Sequence, residues 1–150
     1  MILLRPARAD EALLLTALCL RSKAVWGYDR AFMDACRAEL TVSFETIATS
    51  RVHVAERLGQ LVGMAQMSVH GDVAELDKLF VEPNALRLGV GKALFDWAKE
   101  AAARAGAGLL MVDADPSAAA FYRRLGAADA GVVPSGSISG RVIPRLRYAI

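Results

Sequence analysis

Gly89-Val90-Gly91-Lys92 opens a helix-patterned segment directly after a β-rich run ending Phe80-Val81-Glu82-Pro83. A helix N-terminus carries unpaired N–H groups and about half a positive charge, and anions bind there. Glycine removes the Cβ that would hold a phosphate off the backbone. Each glycine costs about 1 kcal/mol of helix propensity, and close anion contact is a reason to accept that cost. Lys92 adds charge close by. A tight turn with close helix–sheet packing would also explain two glycines. Two nucleotide-binding patterns are excluded. A P-loop would need Gly at Leu86 and Ser or Thr at Ala93. A dinucleotide fingerprint would need a third glycine at Leu94.

Other residues could do chemistry. Tyr122 follows Phe121 on a helix-patterned segment; a phenol can act as a general acid, but by itself the pair reads as buried aromatics at helical spacing. Glu75, Asp77 and Glu82 are carboxylates on the β-rich run before the glycines, where they could serve as bases or as ordinary solvated positions. Trp26, Tyr28 and Asp29 lie between two helical segments and suit an ammonium group, although a plain helix–helix connection explains them as well. Ser135-Gly136-Ser137 with Arg141 suits a carboxylate or phosphate instead. These two clues point to different ligands. Cys19 and Cys36 form no CxxC, and neither is tied to His53 or His70 by a motif. They are expected to be buried free thiols of a reducing, cytoplasmic setting, and no metal is expected.

The elements that must position these residues follow from periodicity. Residues 2–6 form a strand. Asp10 is a good N-cap for a helix over Glu11 to Ala24 with Leu13, Leu14, Ala17, Leu18 and Leu20 apolar. A second helix spans Arg30 to Leu40, with Phe32, Met33, Cys36 and Leu40 inward, and Ser43 caps one short turn. Runs at Arg51–Glu56, Leu61–Val69 and Val73–Val81, separated by short turns, make an antiparallel meander. The glycine-opened helix carries Val90, Leu94, Trp97, Ala98 and Ala101 on one face, and Lys92/Asp96 and Glu100/Arg104 as outer pairs. Gly106 and Gly108 stop it. Leu109–Val112 is a short buried strand, and Asp115-Pro116 reads as N-cap and first residue of a helix ending at Gly126. Two strands flank the Pro134–Arg141 loop. The order is β-α-α-β-β-β-α-β-α-β-β: an α/β (α+β) chain with a mixed, mostly antiparallel sheet of six or seven strands and helices on both faces.

This segment resembles a motif of the GCN5-related N-acetyltransferases, usually written Q/R-x-x-G-x-G/A; here it is Leu86-Arg87-Leu88-Gly89-Val90-Gly91. Ala118-Ala119-Ala120-Phe121-Tyr122-Arg123-Arg124-Leu125-Gly126-Ala127 resembles the same family's A-x-x-F-Y-x-x-x-G-F, and the strand order matches over essentially the whole chain. Leu86, Asp115 and Ala127 depart from the family's Gln/Arg, Asn and Phe. The resemblance implies acetyl-CoA as co-substrate. Its pyrophosphate would meet the amides of Leu88, Gly89, Val90, Gly91 and Lys92, with Arg87, Asp115 and Ala118 nearby. Its pantetheine would pair with the strand edge at Leu79, Phe80 and Val81, where a backbone N–H would polarise the thioester. Tyr122 would be the general acid. Glu75 falls where histone-type members carry a glutamate base, with Asp77 behind it. The implied reaction is acetyl transfer to a primary amine of a small molecule or peptide by direct attack in a ternary complex. The alternative is a non-catalytic acyl-CoA-binding or sensing domain. The acceptor site would lie among Trp26, Tyr28, Asp29, Ser137 and Arg141, and a homodimer through the last strands is expected from relatives.

The totals agree. A chain of 150 residues, 55% hydrophobic and 23% charged, is expected to be a single globular domain over 1–150. A net charge of +2 with interspersed signs argues against nucleic acid and polybasic membrane contact. Met1–Leu4 is too short for a signal core, and no apolar run reaches the roughly 18 residues of a membrane span.

Overall fold

The computed structural model describes all 150 residues. The chain forms β1 (Leu3–Pro6), α1 (Ala12–Ala24), α2 (Arg30–Leu40), α3 (Phe44–Thr49), β2 (Arg51–Arg57), β3 (Gln60–His70), β4 (Val73–Val81), α4 (Val90–Arg104), β5 (Leu109–Asp113), α5 (Ala119–Arg124), β6 (Ala128–Pro134) and β7 (Val142–Ala149). The Ser43 turn is long enough to count as a helix: its hydroxyl accepts from Thr46 N, so α3 adds a third helix to the expected order.

The seven strands run β1-β2-β3-β4-β5-β7-β6 across one sheet. All neighbours are antiparallel except β4 and β5, which pair in parallel only over Val73–Leu76 and Leu109–Val112. The β2–β3 hairpin turns at Leu58 and Gly59, both with positive φ, the twist a two-residue hairpin requires. In the β3–β4 pairing Met67 faces Leu76 and Gln66 faces Lys78, so Asp77 is an inserted bulge residue.

Each sheet face is covered. α4 buries Val90, Leu94, Phe95, Trp97, Ala98, Ala101 and Ala102 against residues that include Ala65, Met67, Ala74, Leu76 and Leu110. α1 and α2 bury Leu15, Leu18, Cys19, Cys36 and Leu40 against Val52, Val54 and Met64 on the other face. Gly106, at φ +83, ends α4: the amide of Ala107 bonds to Ala102 O and that of Gly106 to Ala103 O, a Schellman cap. Cys19 and Cys36 are free and buried, and burial pushes the Cys19 thiol up to about 12.

Three expectations change here. Asp10 does not cap α1; Ala9–Glu11 form a 3₁₀ turn that leads into the helix. Leu13 and Leu14 face solvent, 86% and 60% exposed, because α1 is apolar on every side and its periodicity could not fix which face turns inward. The helix after β5 begins at Ala119, with Asp115–Ala118 forming a turn held by Asp115 Oδ1 accepting from Ser117 N.

Glu11 is the one buried charged residue, and it is fully engaged. Arg5 donates to both its oxygens at 3.0 and 2.7 Å and to Glu56 at 2.7 Å, while Arg8 N donates to Glu11 at 2.7 Å. The Arg5 hydrogen bonds hold the Glu11 carboxyl below its ordinary value against the opposing effect of burial. Its folded pKa is therefore depressed. The stabilisation is present above the unfolded value, about 4.3, and is lost as pH falls through the folded one. Glu11→Gln is expected to cost about 1–3 kcal/mol at neutral pH. In denaturant titrations its gap from the parent should close below about pH 4.

Candidate active site

The site begins where β4 leaves β5. Beyond Leu76 the outer edge of β4, Asp77–Val81, has no strand partner, because β5 bends away toward β7 and the Ala114 amide bonds to Pro144 O. The V-shaped gap is a cleft of about 630 Å³. Its walls hold Leu76–Val81, the turn before α4, Val112–Asp115, α5, the ends of α1 and α2, and the β6–β7 loop.

The two glycines of the turn have different reasons. Gly89 is the N-cap of α4 at φ +83, and a Cβ there would meet nothing within 4 Å. It is glycine for its backbone angle, and Arg87 at φ +65 makes the turn tighter still. Gly91 has ordinary helical geometry, but a Cβ would come within 3.0 Å of the Phe121 ring. A third glycine, Gly63 in β3, lets the start of α4 sit on the sheet: a Cβ would lie 2.8 Å from Val90 Cγ1. No side chain caps the α4 N-terminus. Its free amides therefore face the cleft together with the exposed side chains of Arg87 and Lys92.

Leu79, Phe80, Val81, Val90, Asp115 and Ala118 also line the cleft. Leu88 does not; its side chain is 46% exposed. Tyr122 reaches the cleft from α5 while packed edge-on against Phe121 and near Phe95. Burial pushes its phenol well above the ordinary value.

Of the carboxylates on β4, Glu75 is off the cleft wall. It pairs with Arg145 at 3.4 Å, and the same guanidinium holds Asp113 at 2.7 Å. The carboxylate that faces the cleft is Asp77, brought there by the bulge. Asp77 is exposed to the open cleft, where partial desolvation by the surrounding walls raises its pKa, the Ser68 hydroxyl opposes the rise and Glu75's charge adds to it. The ungapped match to Glu75 therefore pointed to a carboxylate that serves an ion pair.

Asp115 is the hub of the far wall. Lys23 Nζ donates to it at 2.7 Å and the Tyr28 hydroxyl at 2.8 Å, while Arg141 lies 3.8 Å away and donates to Tyr28 at 2.9 Å. Burial works to raise the Asp115 carboxyl, but Lys23, Ser117 N and Tyr28 outweigh it and the pKa falls. Its oxygens are committed to protein partners, so it is a structural anchor beside the expected cofactor. Tyr28 stacks on Phe32 at 3.9 Å and is off the wall. Asp29 is off the wall as well, and its Oδ1 caps α2 by accepting from Phe32 N. Trp26, Ser137 and Arg141 do line the cleft. Lys23, Glu39 and Lys78 complete the wall and were missed, because nothing local in their segments marks them.

The family described as an acetyltransferase (GNAT) domain matches residues 48–126. A GCN5-related N-acetyltransferase from Rhodopseudomonas palustris is 24% identical, with 99% of this chain and 95% of that one covered and a TM-score of 0.83. PaiA N-acetyltransferase from Thermoplasma acidophilum, solved with coenzyme A, is 16% identical over 100% and 99% of the two chains, with a TM-score of 0.83. The ribosomal-protein-S18-alanine N-acetyltransferase from Escherichia coli is 19% identical over 100% and 94%, with a TM-score of 0.74. No curated protein sequence matches the chain.

The turn separates backbone strain from packing. Gly89→Ala is expected to cost about 1–2 kcal/mol through its left-handed angle alone. Gly91→Ala meets the Phe121 ring, so Phe121→Leu should relieve its cost and leave that of Gly89→Ala unchanged. A double-mutant cycle by urea denaturation of the unliganded chain reads both.

Proposed function

Because the chain belongs to the GNAT acetyltransferase family, we propose that it moves an acetyl group from acetyl-CoA to the primary amine of a small molecule or peptide, by direct attack in a ternary complex. One observation carries this reading: the free amides of the α4 N-terminus, the unpaired edge of β4, Asp77 and Tyr122 all face a single cleft.

The pyrophosphate binds the amides of the turn, with Arg87 and Lys92 adding charge. The pantetheine, which is peptide-like, adds as a short strand to the β4 edge at Leu79–Val81. A backbone N–H of that edge polarises the thioester carbonyl. The acceptor arrives as an ammonium and loses a proton to Asp77. The raised carboxyl pKa of Asp77 brings it closer to a working base than an ordinary aspartate. The amine nitrogen then bonds to the acetyl carbon, the C–S bond breaks, and the thiolate takes the proton of Tyr122. Burial in the unliganded cleft raises that phenol's pKa and makes it a weaker acid, so the transfer depends on the thiolate forming within hydrogen-bond reach of the hydroxyl. A sensing domain of the same fold is favoured only by Leu86, which supplies no side-chain donor beside the pyrophosphate.

Thiol release from acetyl-CoA, measured over a panel of amines, amino acids, polyamines and peptides, tests the reaction; binding without turnover of any amine would make the chain a sensor. Tyr122→Phe is expected to lower kcat by about 10²-fold or more with acetyl-CoA affinity retained. Because the phenol lies above its ordinary range, any alkaline limb below pH 10 should survive this substitution. Asp77→Asn should lower kcat/KM by about 10²–10⁴-fold and abolish the acid limb, since rate falls as pH drops through a raised carboxyl pKa. Glu75→Gln should do neither; if its loss matched that of Asp77→Asn, the base would be Glu75.

A further inference from the structure

Away from the α4 turn and α5, the charged side chains lining the cleft are Lys23, Glu39, Asp77, Lys78, Asp113, Asp115 and Arg141. Lys23 and Arg141 share Asp115, Asp113 holds Arg145, and Glu39, although in no ion pair, accepts the Ser137 hydroxyl and ties α2 to the β6–β7 loop. Asp77 and Lys78, consecutive in the chain, are in no ion pair either, and they alone of these charges stand on the open strand edge. Lys78 is half-buried, and its one hydrogen bond goes to the neutral amide oxygen of Gln66 at 3.2 Å. Consecutive residues of a regular strand point to opposite faces. Here the register steps from Leu76 to Lys78 and skips Asp77, and both side chains reach the same cleft. The bulge therefore presents one negative and one positive charge side by side, next to the open edge of β4.

A half-buried ammonium without a counter-ion is stabilised by an anionic ligand group. A carboxylate beside it is satisfied by a cationic one. A polyamine would find Asp77 but would also meet Lys78. A simple dianion would meet Asp77. The β6–β7 loop lies directly on α2, where a Cβ on Gly136 would come within 2.7 Å of the Glu39 carboxylate.

Resting on the acetyl-transfer reading above, we propose that the acceptor is a small zwitterion, an amine with a carboxylate a few bonds away, as in a free amino acid. Its ammonium sits against Asp77 and its carboxylate against Lys78.

The test is thiol release by the full chain with the free L-amino acids, each beside its amine lacking the carboxylate, such as tyrosine with tyramine and histidine with histamine. Acetyl-CoA affinity is measured in parallel by calorimetry. For the best amino acid, kcat/KM should exceed that of its matched amine by about tenfold or more. Lys78→Met should bring that ratio close to unity, and Lys78→Arg should restore part of it. Acetyl-CoA affinity in each variant reports an intact fold. The proposal is overturned if the amines are used as well as the amino acids, if no amino acid is acetylated, or if Lys78→Met leaves the ratio unchanged. In each of those cases turnover of another amine leaves acetyl transfer standing. A parent chain that does not bind acetyl-CoA overturns both.

Discussion

The pairing of β4 with β5 stops at Leu76, and the chemistry proposed for this chain depends on that stop. Parallel strands that stayed paired would bury the edge at Asp77–Val81 and leave no place for a ligand to add to the sheet. The bulge at Asp77 gives a physical reason for the parting. One extra residue bends β4 and increases its twist, while β5 is held on its other side by β7 from Leu109 to Asp113. The strands diverge because each remains fully paired to its outer neighbour. A gap is thereby held open by hydrogen-bonded sheet on both sides, more rigidly than by loops.

The gap would be a bare slot without the helix that begins beside it. Three glycines set the first turn of α4, each for its own reason. Gly89 supplies a backbone angle that leads into the helix. Gly91 accommodates Phe121 of α5. Gly63 accommodates Val90 from below. The same closeness packs Phe95 of α4 near Tyr122 of α5. Anion site and phenol are thus positioned by one set of contacts.

Much of this was legible in the chain. The glycine turn, the meander, α2, the boundaries of β4 and the start of β7 follow from local periodicity and turn chemistry, and the structure has them where the sequence puts them. α1 was not legible in its facing, because a helix apolar all round leaves its inward side to tertiary packing. The bulge was not legible either. It inserts one residue into a run of β-type side chains with no glycine to mark it, and its effect is to exchange which carboxylate faces the cleft. Glu75 and Asp77 differ by two positions, so an ungapped match could not separate them; only the register with β3 does.

Asp115 shows why the acceptor half was the least readable part. Its partners Lys23, Tyr28 and Arg141 come from α1, the α1–α2 connection and the β6–β7 loop. No sequence spacing links segments so far apart. On the proposed reading this carboxylate shapes what the cleft can recognise. By taking Lys23 and Arg141 to itself it removes two cations from the acceptor's reach. By taking the Tyr28 hydroxyl it fixes the aromatic pair of Tyr28 and Phe32, over which Lys23 and Arg141 also lie. Lys23, the Ser117 amide and Tyr28 hold the Asp115 carboxyl below its ordinary value against its burial, and one carboxylate between two cations leaves this wall with a net positive charge. On the proposed reading, discrimination between acceptors rests on Asp77 and Lys78, the two cleft-lining charges of β4 that stand in no ion pair.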